Sequence, residues 1–230
     1  GPRYWDPLLW QNGELRDDVT GRFGPDVYTE FLIDFMERHR DQPFFAYYPM
    51  ALSHAVSDDL DPHPPHGPNG RYMTYAEMMA ELDKRVGQLV DAVDRMGLKN
   101  RTLIFFTSDN GTTKKNHIRH EGRKLINEPE ISSVIRGKSL VGQKGKFNDW
   151  GIRVPTLARW PGVVKAGSST DILTDCADLL PTFSELGGKK DVAHPLDGVS
   201  FAKLFTEGKS PSREWVSPQQ KGKIGIRTRN

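Results

Sequence analysis

The sequence predicts an α/β chain built on a mostly parallel sheet flanked by helices. Two apolar runs, residues 44–48 and 102–107, read as buried strands. Between them, Met78, Met79, Leu82, Val86, Leu89, Val90 and Val93 recur at the 3.6-residue spacing of an amphipathic helix. A strand–helix–strand order of this kind places the two strands parallel.

The elements follow in order. Residues 1–24 carry Trp5, Pro7, Trp10, Gly13 and Gly21 without periodicity and are expected to form an irregular connector. Asp26 is placed to cap a helix over 25–40, with Val27, Phe31, Leu32, Ile33 and Phe35 on its apolar face and basic residues in its last turn. Pro43 ends it, and the aromatic run 44–48 follows as a strand. Residues 49–70 hold five prolines and three histidines and must be loop. The helix over 75–96 closes at Gly97. Strand 102–107 ends in Ser108-Asp109-Asn110-Gly111. Residues 112–151 read as a long polar stretch, 155–160 as a third strand, and 175–186 as a helix stopped by Gly187. Residues 1–24, 25–205 and 206–230 are the expected connector, principal domain portion and start of a further subdomain.

Composition narrows the function. With 36% apolar and 27% charged residues the chain is neither disordered nor fibrous. Its apolar runs fall far short of the ~20 residues of a membrane helix, and no basic-then-apolar leader opens it, so no membrane partner is expected. One cysteine, Cys176, excludes an internal disulfide, and its place in an apolar helix pattern predicts a small core residue. Net charge is only +2, and aromatic residues are sparse in the basic stretch, so no nucleic-acid partner is expected.

Ligands of open α/β sheets gather past the carboxyl ends of strands. Asp109 and Asn110 stand there, offering the oxygen donors that Ca²⁺ or Mg²⁺ prefer, with Gly111 permitting a tight turn; an Asp-Asn-Gly turn without metal fits the same letters. His54 follows the first strand on a loop and suits either proton transfer or a plain surface position. His63 and His66 stand in a proline-rich tip. Residues 114–146 hold nine lysines and arginines against three acids, a field that either collects a small anion or is simply solvated. Within it Lys144 lies between Gly142 and Gly145, without the glycine spacing of a P-loop.

Several pieces together resemble a known family. The segment 43–54 resembles the sulfatase stretch that ends in an active-site histidine. Residues 102–111 resemble the sulfatase strand that ends in a metal-binding Asp-Asn pair. Lys144-Gly145, then Asp149-Trp150-Gly151-Ile152-Arg153-Val154-Pro155, then Trp160-Pro161-Gly162, resemble the family's lysine-glycine block. Asp178-Leu179-Leu180-Pro181-Thr182 and Leu196-Asp197-Gly198-Val199-Ser200 resemble two later family motifs. The order holds from about residue 25 to about 205. On this basis the chain is identified as a portion of a type I sulfatase of the alkaline phosphatase superfamily, with an incomplete catalytic α/β domain.

The resemblance implies sulfate-ester hydrolysis with a Ca²⁺ ion (Mg²⁺ as the alternative) and a formylglycine nucleophile made from Cys or Ser. By position, Asp109 and Asn110 are metal ligands, Lys144 contacts a sulfate oxygen, and His54 contacts the sulfate and the leaving oxygen. The implied substrate is a sulfate-ester small molecule or a sulfated carbohydrate. The implied compartments are periplasmic, secreted or lysosomal. Two departures stand out. Asp149-Trp150 replaces the family's usual Glu-Gly, which predicts a differently packed turn. The Cys/Ser-x-Pro-x-Arg nucleophile motif is absent, and Cys176 is followed by Ala177-Asp178. In the family that motif lies upstream of these residues, so the expectation is half of an active site. A phosphate or phosphonate ester hydrolase of the same superfamily, and an inactive binding fragment, are the alternatives.

Overall fold

The computed structural model describes residues 4–54, 74–115, 117–121, 124–127, 130–135, 137–189 and 194–229. It divides into two units, Gly1–Lys99 with Thr112–Gly142, and Asn100–Gly111 with Gln143–Asn230.

The first unit opens on a hairpin of β1 (Trp10–Gln11) and β2 (Glu14–Leu15), turned by Asn12 and Gly13 with φ of 54° and 87°. That pair of positive angles is the two-residue turn that Asn-Gly favours. Helix α1 (Gly24–Arg38) begins at Phe23, whose side chain makes no capping bond; Pro25 pre-sets its first turn. Asp26 lies within that turn and does not cap it, which corrects the expected role. The buried residues of α1 are Gly24, Pro25, Val27, Thr29 and Met36, whereas Phe31 is exposed.

Helix α2 (Tyr75–Arg95) matches its periodicity. Thr74 and Glu77 form a full capping box at its start. At its end Leu98 N–H donates to Val93 O (3.0 Å) and Gly97 N–H to Asp94 O (3.1 Å), with Leu98 and Val93 both buried. This is the two-bond closure with apolar contact that stops helices at glycine. Tyr4, Phe23, Leu52 and Met78 form a buried cluster, with Trp5 and Leu82 packed on it.

Helices α1 and α2 pack together across a charge. Arg85 of α2 is 3% exposed; its Nη2 reaches Asp26 Oδ1 (2.7 Å) and Glu81 Oε2 (3.0 Å), and its Nη1 donates to Gln88 Oε1 (3.1 Å). Burying a guanidinium is tolerated only with such partners. Arg85→Ala is expected to cost about 2–3 kcal/mol, less than a fully buried pair because Asp26 and Glu81 can rehydrate. Arg85→Met, which keeps the volume, is expected to lose less; urea denaturation of both variants checks the order.

Within the polar stretch 112–151 lie two antiparallel strand pairs. Strands β4 (His117–Glu121) and β5 (Lys124–Asn127) pair antiparallel, as do β6 (Ser132–Ile135) and β7 (Lys138–Val141). Ile131 is buried between them in sequence, donating to Lys114 O (2.9 Å) and accepting from Gly142 N (2.9 Å).

In the second unit β3 (Ile104–Thr107) pairs with β8 (Thr156–Arg159) in register from Ile104↔Arg159 to Thr107↔Thr156. Between them in sequence lies the one-turn helix α3 (Asp149–Ile152). A 3₁₀ turn (Cys176–Asp178) leads into α4 (Leu179–Leu186), and α5 (Ala202–Glu207) follows. Phe105 of β3 meets Phe183 of α4 edge-on (5.6 Å) and Phe201 (6.0 Å), which meets Phe205 (5.6 Å); these rings are the unit's core. Two short ladders end the chain, β9 (Trp215–Val216) with β12 (Arg227–Thr228) and β10 (Gln219–Gln220) with β11 (Lys223–Ile224).

The α/β class holds, while the ladders seen among the described residues run otherwise than the expected parallel order. Every ladder among the described residues is antiparallel. Residues 44–48 join no ladder there, and Phe45 and Tyr47 are exposed. An aromatic run becomes a strand only where a neighbouring backbone satisfies its amides and carbonyls, and none of the described segments does so. The third expected strand, residues 155–160, is present as β8 and pairs antiparallel with β3.

Candidate functional site

Asp109 and Asn110 follow β3, Asp109 exposed and Asn110 half-buried. Ser108 Oγ donates to Asn110 O (3.1 Å). Gly111 N–H donates to Gly151 O (3.0 Å), and a side chain at Gly111 would collide with the Trp150 carbonyl oxygen. Glycine is therefore required here for close backbone approach, and Gly111 is absent from the positive-φ positions that the expected tight turn would need.

Lys144 sits on the adjoining turn and is exposed. Lys146 N–H donates to Gln143 O (3.0 Å), and Asn148 Nδ2 donates to Gln143 Oε1 (2.6 Å). The Asn148 side chain also caps α3 by accepting from Gly151 N–H (3.1 Å). Thus one asparagine fixes both the lysine turn and the short helix whose backbone holds the Asp109–Asn110 loop. Asp149, at the position of departure, accepts from Arg227 Nε (3.0 Å) and Nη2 (3.4 Å). The unusual turn is therefore packed by a long-range arginine. The two donors and the lysine share one bonded assembly within the second unit.

His54 belongs to the first unit and is exposed. Its backbone is held from far upstream: the fully buried Tyr4 donates its hydroxyl to His54 O (2.7 Å) and Ala51 O (3.1 Å). Leu52, between them, is buried in the cluster with Tyr4. Tyr4 was not legible as a support for His54, since 50 positions separate them. His63 and His66 lie outside the described residues.

Cys176 is exposed, which corrects its expected place in the core: the 3₁₀ turn before α4 puts it outside the helical stripe. Partial burial of its sulfur pushes the thiol up, and the carboxylates of Asp175, Asp109 and Asp178 push it further. A thiol held protonated is a poor nucleophile.

Two sequence motifs prove to be a single clamp. Asp178 is 1% exposed; its Oδ2 accepts from Asp175 N–H (3.0 Å) and its Oδ1 from Val199 N–H (2.7 Å) and from Arg213 Nη2. Thr182 Oγ1 donates to Asp178 O (2.6 Å) and accepts from Phe201 N–H (3.1 Å). A side chain at Gly198 would strike the Ala177 carbonyl. The 196–200 turn is thereby pinned on the start of α4, behind Phe105 and β3.

A groove of about 610 Å³ in the first unit, lined by Glu14, Arg16, Asp18, Arg22 and Glu30 among others, contains none of the four candidate residues. Both of its arginines are already paired, Arg16 with Asp18 and Arg22 with Glu30. Among the described residues no cluster of three or more His, Cys, Asp or Glu could hold a metal. Asp109 and Asn110 fit a hard cation by donor type, as part of a set.

Two oxygen donors and an exposed lysine thus stand on one braced loop pair, past the end of a strand. Comparison with known proteins identifies the family. A family model described as Sulfatase matches residues 8–189, and the chain belongs to the sulfatase family. It is 34% identical over 187 residues to arylsulfatase A of Bos taurus, covering 80% of this chain and 33% of that protein. It is 32% identical over 160 residues to steryl-sulfatase of Rattus norvegicus, covering 67% and 25%. Among solved structures, a Bacteroides thetaiotaomicron sulfatase described under the metabolism of multiple glycosaminoglycans superposes with a TM-score of 0.64 at 21% identity, over 96% of this chain and 42% of that one. That likeness supports the alkaline-phosphatase-like fold. The chain spans about a quarter to a third of the length of these curated relatives.

Proposed function

We propose that the chain carries part of the active site of a sulfate-ester hydrolase. One observation supports this most: the Gly111–Gly151 bond and the Asn148 brace join the Asp109–Asn110 loop to the Lys144 turn, so oxygen donors and a cation are presented together. In this reading Asp109 and Asn110 contribute two of the ~6–8 oxygens that Ca²⁺ requires, Mg²⁺ being the alternative. When bound, the cation supplies positive charge against the ester's non-bridging oxygens. Lys144 stabilises the charge that builds on a sulfate oxygen as the ester bond breaks. His54 donates a hydrogen bond to the leaving oxygen and passes it a proton. The nucleophile, a formylglycine in this reading, is not among these residues, and Cys176 does not substitute for it.

The substrate class is a sulfate ester, either a small aryl ester or a sulfated carbohydrate; the glycosaminoglycan connection of the solved neighbour supports the second. An exported or lysosomal setting follows from the same family connection. No helix among the described residues is long and apolar enough to cross a membrane.

Partial ligation gives a direct test. Calorimetric titration of the 230-residue chain with Ca²⁺ is expected to show weak binding, with Kd near ~10⁻³ M, abolished by Asp109→Ala. Tight stoichiometric uptake, or no change on Asp109→Ala, would contradict the assignment of these two ligands.

A further inference from the structure

We propose that Lys221, at the tip of the β10–β11 hairpin, is a second anion contact beside Lys144, recognising a further sulfate or carboxylate on the same glycan. The proposal rests on the sulfate-ester reading of Lys144 and extends it to substrate selection.

Three features place this hairpin against the lysine turn. Gln220 packs over Gly145: a Cβ on that glycine (φ +89°) would stand 2.9 Å from Gln220 Nε2. Phe147 packs beside Gly225, where a Cβ would lie 3.5 Å from its ring. Arg227 binds Asp149. The hairpin tip is thus one residue removed from a contact with the residue next to Lys144.

The charges there are unbalanced. Lys144, Lys146, Lys221 and Lys223 are all exposed, and none forms an ion pair among the described residues. Of the two acids in this assembly, Asp149 is paired with Arg227, and Asp109 is the one the proposed function assigns to the cation. Four unneutralised ammonium groups on the lysine turn and the adjoining hairpin attract a ligand with more than one negative charge.

The backbone gives an independent reason to single out Lys221. Gln220 pairs with Lys223, so Lys221 and Gly222 are the two central turn residues, with φ of 47° and 74°. The same turn near the chain start is built from Asn12 and Gly13, the pair that suits it. Lysine suits the left-handed region less well than asparagine, so backbone preference does not account for its place at the tip. Lys221→Asn suits the turn better while removing the cation, so it separates recognition from folding.

The test measures dissociation constants of the 230-residue chain, at 50 mM salt, for three disaccharides: monosulfated and otherwise neutral, disulfated, and monosulfated with one uronate. The unsubstituted chain is expected to bind the two dianionic sugars about three- to fivefold more tightly than the monoanionic one. K221N is expected to lose that preference, keep its affinity for the monosulfated sugar, and melt ~1–3 °C higher. Loss of preference for only one dianion identifies the second group as sulfate or as carboxylate. An undiminished preference for both in K221N would overturn the proposal. So would equal affinity for a single-stranded oligonucleotide, which marks an unselective basic patch. Lys144→Ala is a separate arm: unchanged affinity for the monosulfated sugar there contradicts the sulfate reading of Lys144, whatever K221N does.

Discussion

Asp178→Ala is expected to destabilise the chain by about 3–5 kcal/mol, the range for breaking a buried ion pair by removing one partner. The carboxylate has three partners at once. It accepts from the amides of Asp175 and Val199 and pairs with Arg213, while its own backbone oxygen receives Thr182. Truncation orphans two amides. It also strands Arg213, 9% exposed, with only a 3.6 Å approach to Asp175 and a 3.2 Å bond to Trp215 O, and with Nε lacking any partner. At roughly 2–4 °C per kcal/mol for a chain of this size, the melting temperature falls by about 6–20 °C. Asp178→Asn keeps an acceptor and similar volume and is expected to lose about half as much. A melting temperature within 2 °C of the unsubstituted protein for Asp178→Ala would refute the clamp.

Lys144→Ala is expected to behave in the opposite way. The side chain is exposed, and the turn beneath it is held by Gln143, Asn148 and the Lys146 amide, so stability changes by less than about 0.5 kcal/mol. Turnover of a sulfate ester by the catalytically competent enzyme is expected to fall about 10²–10³-fold, the usual effect of removing one group that stabilises developing charge. Because that charge is largest in the transition state, the loss falls on kcat more than on KM. A large loss of turnover without a loss of stability is the signature of chemistry. An equal loss of both would assign Lys144 a structural part.

Much of the helical fold was legible. The helix predicted over 75–96 announces itself by spacing and by Gly97; the Thr74–Glu77 capping box at its start is a finding of the structure. Residues 44–48 were not legible as unpaired, because a strand is decided by its neighbours and the aromatic letters do not name them. Nor were the two strand pairs within 112–151, whose polar composition masks the pairing; the Asn12-Gly13 hairpin does carry its signal in two adjacent residues. His54, Asp109, Asn110 and Lys144 were singled out through resemblance to a family, and their roles are those proposed above. Their supports were not legible. Tyr4 is 50 positions from His54, Arg213 is 35 from Asp178, and Arg227 is 78 from Asp149. Such partners are set by tertiary packing, which one sequence does not display. The departure at Asp149-Trp150 was visible as a departure, but its compensation by Arg227 was visible only in three dimensions.

The central claim is that His54, Lys144 and the Asp109–Asn110 pair serve sulfate-ester hydrolysis. The measurement that tests it most directly compares hydrolysis of an aryl sulfate and an aryl phosphate by the active enzyme, with and without a chelator, alongside its His54→Ala and Lys144→Ala variants. The expected result is metal-dependent turnover that favours the sulfate and drops at least about 100-fold in each variant. Preferential hydrolysis of the phosphate, or full sulfate turnover in either variant, would contradict it.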